Sequence, residues 1–329
     1  MATIYKDADA DLSALKGKTI AVVGYGSQGK HQALNLKDSG LKIIIGLKKG
    51  SKSWKTAEEE GFKVYDVAEA AKQADFIIML IPDVRQPEVF QKDILPNLTK
   101  GKIYGVSHGF NVHFGLTKLP NDVDVIMVAP KSPGIKVREE FLKGYGVPSI
   151  VAVQQDASKN AWKETLAWAK AIGSTRPGVV KTTFKEETET DIFGEQCVLV
   201  GGLMELIKTG FEVLIEKGYQ PEIAYFECCN EAKLIMDLIF VGGMEKMLKG
   251  VSDTAKYGGL AYGPKVIDED TKRKMQAVLE NITSGKFAEE WMSNPEESMK
   301  RLNAYMEETA KHPIEKTGKQ VRKLMGQEK

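Results

Sequence analysis

The sequence predicts an α/β protein in two parts: an N-terminal doubly wound parallel sheet over residues 1–182, then an all-helical region over residues 183–329. Strand-like apolar runs recur through the first half, at Thr19 to Gly24, Lys42 to Gly46, Asp75 to Ile81, Lys102 to Ser107, Asp124 to Ala129 and Pro148 to Val153. Most are followed by helical periodicity or a Gly/Pro turn, and strands alternating with helices make βαβ units with helices on both faces of a parallel sheet. After Thr175 to Thr183 the strand signal fades. Glu186 to Met325 then alternates amphipathic helical stretches with short breaks, such as Lys217-Gly218-Tyr219-Gln220-Pro221, which sets the expected boundary near Thr182.

Bulk properties narrow the function class. With 329 residues, 42% hydrophobic and 28% charged, the chain is long enough for two cores. Lys plus Arg number 46 against 45 Asp plus Glu, so no charge excess points to nucleic acid or a membrane surface, which leaves small-molecule chemistry. No run approaches the ~18 apolar residues of a membrane span, and Met1 to Lys18 is polar and mixed in charge, unlike a secretory signal; a cytoplasmic protein is expected. Cys197, Cys228 and Cys229 are odd in number and two are adjacent, so they read as small packing residues in a reducing compartment rather than a disulfide framework.

The first strand runs into Gly24-Tyr25-Gly26-Ser27-Gln28-Gly29, a GxGxxG set between a strand and the helix that begins near Ser27. Such a turn needs glycine for tightness, for approach of backbone to a pyrophosphate and for helix-on-strand packing, and the helix N-terminus attracts the phosphates. A dinucleotide-binding, Rossmann-like domain is expected. The end of the second strand, where an NAD-binding chain carries an acid for the ribose 2′-hydroxyl, reads Gly46-Leu47-Lys48-Lys49-Gly50-Ser51-Lys52-Ser53. Ammonium and hydroxyl groups suit a 2′-phosphate, so NADPH is expected over NADH with Lys48, Ser51 and Ser53 as its contacts; the alternative is a solvated lysine-rich turn.

Two pairs of carboxylates, Asp191/Glu195 and Glu227/Glu231, are each spaced four apart on predicted helices, which stacks each pair on one face. Like charges so placed repel, so local stability does not explain them. Four hard oxygen ligands with no His or Cys on the same faces suit two Mg²⁺ ions. Solvated acidic faces are the competing explanation. Ile192, Phe193, Val198, Leu199, Tyr225, Phe226, Leu234 and Ile235 around the acids argue for burial, which a metal would relieve. His108 and Lys131 follow predicted strands, on the carboxyl edge where doubly wound sheets bind ligands.

Taken together, Gly24-Tyr25-Gly26-Ser27-Gln28-Gly29, Ser107-His108-Gly109-Phe110-Asn111, Ala129-Pro130-Lys131, Glu187-Thr188-Glu189-Thr190-Asp191-Ile192-Phe193-Gly194-Glu195-Gln196, Glu227-Cys228, Glu231-Ala232-Lys233-Leu234-Ile235 and His312-Pro313-Ile314-Glu315-Lys316 resemble the short-form ketol-acid reductoisomerases over essentially the whole chain. The resemblance implies an NADPH- and Mg²⁺-dependent enzyme of branched-chain amino-acid synthesis, acting on 2-acetolactate and 2-aceto-2-hydroxybutyrate, with a helical half that forms a homodimer. It implies that Asp191 bridges two Mg²⁺ ions, that Glu195 completes one coordination set, and that Glu227 and Glu231 serve the second and the substrate hydroxyl. Glu227 would also handle a proton. Ser252 would hydrogen-bond the substrate carboxylate, His108 would organise water, Lys131 would be a positive partner of the acids, and Gly134 joins the cofactor-binding residues.

The chain departs from the family pattern at Ser132, where glycine is usual, at Ile135 and Asn230, where histidines are common, and at Lys48, Asp253 and Lys256. A side chain at 132 would strain the backbone if glycine's φ range were needed there. Two rival readings are a metal-independent dehydrogenase of the β-hydroxyacid type and a catalytically silent cofactor-binding paralogue.

Overall fold

The computed structural model describes residues 2–328; Met1 and Lys329, the outer ends of the two expected domains, lie outside them. The chain divides into one compact unit over Met1–Thr190 and another over Asp191–Lys329. The division falls inside a helix, Phe184–Gly194, whereas the sequence-based boundary falls in the turn between the last strand and that helix.

The first unit is built on nine strands: β1 (Ile4–Tyr5), β2 (Thr19–Val23), β3 (Lys42–Gly46), β4 (Lys63–Tyr65), β5 (Phe76–Met79), β6 (Ile103–Val106), β7 (Asp124–Pro130), β8 (Ser149–Gln155) and β9 (Val179–Lys181). They form one sheet in the order β1-β9-β8-β7-β6-β5-β2-β3-β4. From β4 through β7 all neighbours are parallel. Every residue of β2, β5 and β6 is buried, as strands covered on both faces require, which is why they read as unbroken apolar runs. Side chains still alternate: Ile20 and Val22 join Phe76, Ile78 and Trp168 on one face, while Ala21 and Val23 join Ile77, Met79, Phe90 and Tyr104 on the other.

The sheet is not wholly parallel. β7 and β8 run antiparallel, with Pro130 opposite Ser149, because the chain returns to the edge it left instead of crossing to the far end. β1 also pairs antiparallel with β9. Direction is invisible in two buried apolar runs, and β1 and β4, of two and three residues, are too short to show a period. β2 lies between β3 and β5, strands whose connections leave on opposite sides, so its carboxyl end opens a crevice at the point where strand order reverses.

Helices make up the second unit. Asp191–Gly194 ends the Phe184–Gly194 helix, a π-helical turn follows at Glu195–Leu199, and Gly201–Glu216 continues as α-helix. A second π turn, Phe226–Asn230, joins Pro221–Tyr225 to Glu231–Gly250, and the latter is broken at Gly242 and Gly243, where Gly243 has φ +73°. The sequence pattern predicted regular α-helix through both carboxylate pairs; a single π turn inside a helix is rare and carries no residue-type signature that would mark it in the sequence. The buried apolar centre of this unit is small, with Phe211, Ala224, Tyr225, Ile314 and Val321 at its heart. Many large side chains stay exposed, including Phe240 at 90%, Tyr257 at 74% and Met244 at 72%.

In β6, a Cβ added to Gly105 would lie 2.6 Å from the Phe76 ring and 2.9 Å from Trp168, two rings already in edge contact at 5.4 Å. Gly105→Ala should destabilise the sheet unit by about 1–3 kcal/mol, the usual cost of overpacking a core. Thermal melting reads this as a lowered midpoint; an unchanged midpoint would show that the core yields at no cost.

Candidate functional site

Gly24 leaves β2 at φ +103°, and a Cβ there would lie 2.7 Å from the Leu80 carbonyl oxygen. Gly29, in the first turn of the Ser27–Asp38 helix, packs against this turn so closely that a Cβ would sit 2.3 Å from the Gly24 carbonyl oxygen. At Gly26 a Cβ would meet nothing within 4 Å. Two of the three glycines are thus needed by the protein itself, and the third faces open space at a helix N-terminus, where phosphate oxygens find unpaired N–H donors. Gly26 and Ser27 are exposed.

Other members of the turn act as braces. The Tyr25 side chain is buried, and its hydroxyl donates to Glu60 Oε2 at 2.5 Å. Burial above all, with that hydrogen bond and the Glu60 charge, pushes the phenol well up, so it stays protonated. Gln28 donates from Nε2 to the Ser132 carbonyl at 2.9 Å and accepts from Gln32, which also donates to Ser107 Oγ at 2.9 Å. Gly134 is needed for packing, since a Cβ would lie 2.0 Å from the Ser27 carbonyl oxygen. Ser132 carries no positive φ; among the described residues Lys159 is the one non-glycine that does. The backbone strain expected at position 132 is absent.

Beside the turn, a cleft of about 690 Å³ lies over the ends of β3, β4 and β5, with Gly46 to Lys49, Asp66, Ile81, Arg85 and Lys92 in its walls. Lys48 and Lys49 are exposed. Ser51, at the N-cap of the Lys52–Glu59 helix, makes no cap hydrogen bond, and its hydroxyl oxygen is buried without a partner. Ser53 is half-buried in the first turn of that helix. A buried hydroxyl left unpaired beside two lysines at a helix N-terminus is the donor set that a phosphate would complete.

At the ends of β6 and β7, His108 and Lys131 meet on one acid that sequence reasoning missed. Glu187, in the Phe184–Gly194 helix, has 1% of its side chain exposed. Its Oε2 accepts the Gly109 N–H at 2.9 Å; its Oε1 lies 3.2 Å from His108 Nδ1 and 3.3 Å from Lys131 Nζ. Burial alone would push this carboxyl up, but the His108 hydrogen bond, the charges of His108 and Lys131 and the Gly109 N–H together hold it below the ordinary glutamate range. Gly109 is a close approach: a Cβ would lie 2.4 Å from Thr188 Oγ1. The available signal was spacing, because Glu187, Asp191 and Glu195 are three acids at successive intervals of four. His31, His113 and His312 are engaged elsewhere, with the Ser27 carbonyl, Glu189 and Glu212.

In the helical unit, Glu195 opens one π turn, Glu227 lies within the other and Glu231 directly follows it. The expected apolar burial of the acids is not met within the chain. Glu195, Glu227 and Glu231 are exposed, as are Val198, Leu199 and Leu234, while Ile192 and Tyr225 are buried. Among the described residues Glu227 and Glu231 have no ion-pair partner, and the nearby Lys233 pairs with Asp237 instead. Hard oxygen donors without a cation partner fit Mg²⁺. The thiols of Cys197 and Cys228 are pushed up by burial and so favour the protonated form, which is poor for metal binding. Ser252 caps the Asp253–Val266 helix, its hydroxyl accepting the Ala255 N–H at 3.2 Å, which leaves neighbouring N–H groups facing out. The departures Asp253 and Lys256 pair with each other at 2.9 Å. Nothing in the structure explains Ile135, 53% exposed, or Asn230.

Comparison with known proteins bears on both units. The family model described as acetohydroxy acid isomeroreductase, NADPH-binding domain, matches residues 14–178, and that described as ketol-acid reductoisomerase, C-terminal domain, matches residues 184–327. The chain is similar to "Ketol-acid reductoisomerase (NADP(+))" of Pyrobaculum aerophilum, 62% identical over 99% of each chain, and to the protein of the same name from Pyrococcus abyssi, 55% identical over 99% of this chain and 98% of that one. A solved structure of an NADH-preferring ketol-acid reductoisomerase from an uncultured archaeon superposes with a TM-score of 0.94 at 46% identity, covering 98% of this chain and 99% of the other.

Glu187 generates a pH prediction. Its folded-state pKa lies below the unfolded value, so its contribution is fully present above the unfolded value and is lost as pH falls through the folded one. Glu187→Gln should cost about 1–3 kcal/mol near neutral pH, in line with a lost charge-assisted network. Denaturant titrations at a series of pH values should show the gap to wild type narrowing in acid. A gap constant with pH would mean that the charge is not what holds the site.

Proposed function

The chain belongs to the ketol-acid reductoisomerase family, and on that premise we propose how its residues divide the reaction between them. It is an oxidoreductase and isomerase linked to NADP that converts acetohydroxy acids such as 2-acetolactate to 2,3-dihydroxy acids, a reaction of branched-chain amino-acid synthesis. The rival of a metal-independent β-hydroxyacid dehydrogenase gives way to the family match over both units. A silent paralogue is disfavoured because the acids, His108 and Lys131 are all retained.

Residues 1–182 are assigned to NADPH and residues 183–329 to metal, substrate and dimer contacts. Gly26 and Ser27 would carry the pyrophosphate at the helix N-terminus, with Gly24, Gly29 and Gly134 shaping the turn and Tyr25 and Gln28 bracing it. Lys48, Ser51 and Ser53 would take the 2′-phosphate; the unpaired Ser51 hydroxyl supports this. Asp191, Glu195, Glu227 and Glu231 would hold two Mg²⁺ ions. When bound, Mg²⁺ supplies Lewis acidity to the ketone and alkoxide oxygens during alkyl migration, and NADPH supplies the hydride.

The observation that carries this assignment is the buried Glu187 carboxylate, tied to His108 and Lys131 one helical turn before Asp191. Glu187 would hold the Lys131 ammonium beside the start of the proposed metal ligands and orient the His108 ring, which would help to order water. Glu227, exposed and without an ion-pair partner among the described residues, would pass a proton to or from the substrate hydroxyl. The N–H groups at the start of the Ser252-capped helix would receive the substrate carboxylate, with the Ser252 hydroxyl as the adjoining contact.

A homodimer is proposed from the exposed apolar surface of the helical unit, which a partner copy would cover. Among the described residues no helix is long and apolar enough to cross a membrane, and a cytoplasmic location is proposed on the grounds of a biosynthetic activity.

NADPH oxidation with 2-acetolactate should require Mg²⁺, and Asp191→Asn should lower kcat by about a hundredfold or more, as for loss of a catalytic electrostatic contact. Turnover that persists in a chelator would refute the metal assignment. Replacing Lys48, Ser51 and Ser53 together should raise KM for NADPH much more than for NADH; equal rises would remove them from the 2′-phosphate site.

A further inference from the structure

The Lys52–Glu59 helix stands between the two phosphate subsites assigned above. Its N-cap is Ser51, whose buried hydroxyl oxygen has no partner, and Ser53 lies in its first turn. The Ser51 N–H donates to the Lys48 carbonyl and the Trp54 N–H to the Ser51 carbonyl, each at 3.0 Å, which ties the lysine-bearing loop to the helix start. The other end is closed as firmly. Gly61, at φ +78°, lets the chain reverse, and the Gly61 and Phe62 N–H groups donate back to the Glu58 and Ala57 carbonyls at 2.9 and 3.1 Å.

That closed end is held by the glycine turn and by the helix that follows it. Glu60, the C-cap residue, accepts from the Tyr25 hydroxyl on Oε2 at 2.5 Å and pairs through Oε1 with Lys30 at 2.6 Å. Lys37 donates to the Glu60 carbonyl at 2.8 Å and lies 4.7 Å from the centre of the Phe62 ring. The buried Tyr25 ring meets Phe62 edge-on at 5.9 Å. Tyr25 stands between Gly24 and Gly26, so its backbone is the glycine turn itself. A helix about 12 Å long is therefore fixed at one end to the turn assigned to the pyrophosphate, while its other end presents the loop assigned to the 2′-phosphate.

We propose that the Tyr25–Glu60 hydrogen bond sets the spacing of the two phosphate subsites, with Tyr25 and Glu60 as positioning residues that act through the helix between them. This rests on the assignment of NADPH to the glycine turn and the Lys48–Ser53 loop. A ligand carrying both phosphates meets two subsites already correctly spaced, so its second contact forms without a further ordering cost. With the bond cut, each subsite keeps its own donors but their separation varies. Only a ligand that spans both is then penalised.

Calorimetric titration of the full-length protein with adenosine 2′,5′-bisphosphate, adenosine 2′-monophosphate and adenosine 5′-monophosphate tests this, because the bisphosphate alone spans both subsites. Wild type should bind the bisphosphate most tightly. Tyr25→Phe, which keeps the ring and removes the hydroxyl, should weaken the bisphosphate roughly fivefold, the size of one hydrogen bond, and leave both monophosphates within about twofold. Glu60→Gln, at a half-buried position, should show the same selective loss, and the two changes together should cost less than the sum of their separate effects, since they break one bond. Equal weakening of all three ligands would overturn the proposal, as would additive effects or a bisphosphate affinity that neither change alters. A lowered melting temperature with unchanged ligand ratios would mean that the bond serves stability alone, which also overturns it. A wild-type protein that binds the bisphosphate no better than the 5′-monophosphate would instead defeat the NADPH assignment on which the proposal rests.

Discussion

A glutamate with 1% of its side chain exposed must either find partners or give up its charge. Glu187 finds them, and much of the sheet unit's functional edge follows from where they come from. Gly109 and His108 belong to the loop after β6, Lys131 to the loop after β7, and Glu187 to the Phe184–Gly194 helix. One carboxylate therefore ties three segments that are far apart in sequence. Removing its charge would take from both Lys131 and His108 an anion within 3.3 Å. The same helix goes on to Asp191, so the residue that organises the cations also sets the start of the proposed metal ligands.

The cofactor crevice obeys a different constraint. A parallel sheet whose strand order reverses beside β2 leaves an opening there, and backbone sterics decide how close a ligand can come. Gly24 and Gly29 are required by the fold alone, whereas Gly26 stands in open space. The Gln28, Gln32 and Ser107 hydrogen bonds connect the glycine turn to the loop that carries His108. The nicotinamide end of a bound cofactor would thus meet a segment already fixed by the helix that holds its phosphates.

Much of this was legible in the sequence, because long buried strands and glycine turns leave strong local signals. All six strands predicted ahead of the last are present, and the GxGxxG stands between β2 and its helix as expected. The signals fail where structure depends on partners far along the chain. The antiparallel direction of β8 is set by a return path, not by its side chains. The π turns that begin at Glu195 and Phe226 carry no residue-type signature of their own. Glu187 stood in the sequence only as the first acid of a longer string, since only the fold brings it to His108, Gly109 and Lys131. Tyr25 is the opposite case: its place in the motif suggested cofactor contact, yet its side chain turns to Glu60. The helical unit was read as covering its acids with apolar residues, but the single chain leaves Glu195, Glu227 and Glu231 exposed.

The central claim is that the acids beginning at Asp191 form a hard-cation site completed in the working enzyme. Its most direct measurement is the binding of Mn²⁺, a paramagnetic stand-in for Mg²⁺, followed by electron paramagnetic resonance on the full-length protein with NADPH present. Two bound ions per chain with mutual magnetic coupling, reduced to one or none by Asp191→Asn, is the predicted result. Binding with undiminished stoichiometry and coupling in Asp191→Asn, or no specific binding to wild type, would contradict the account.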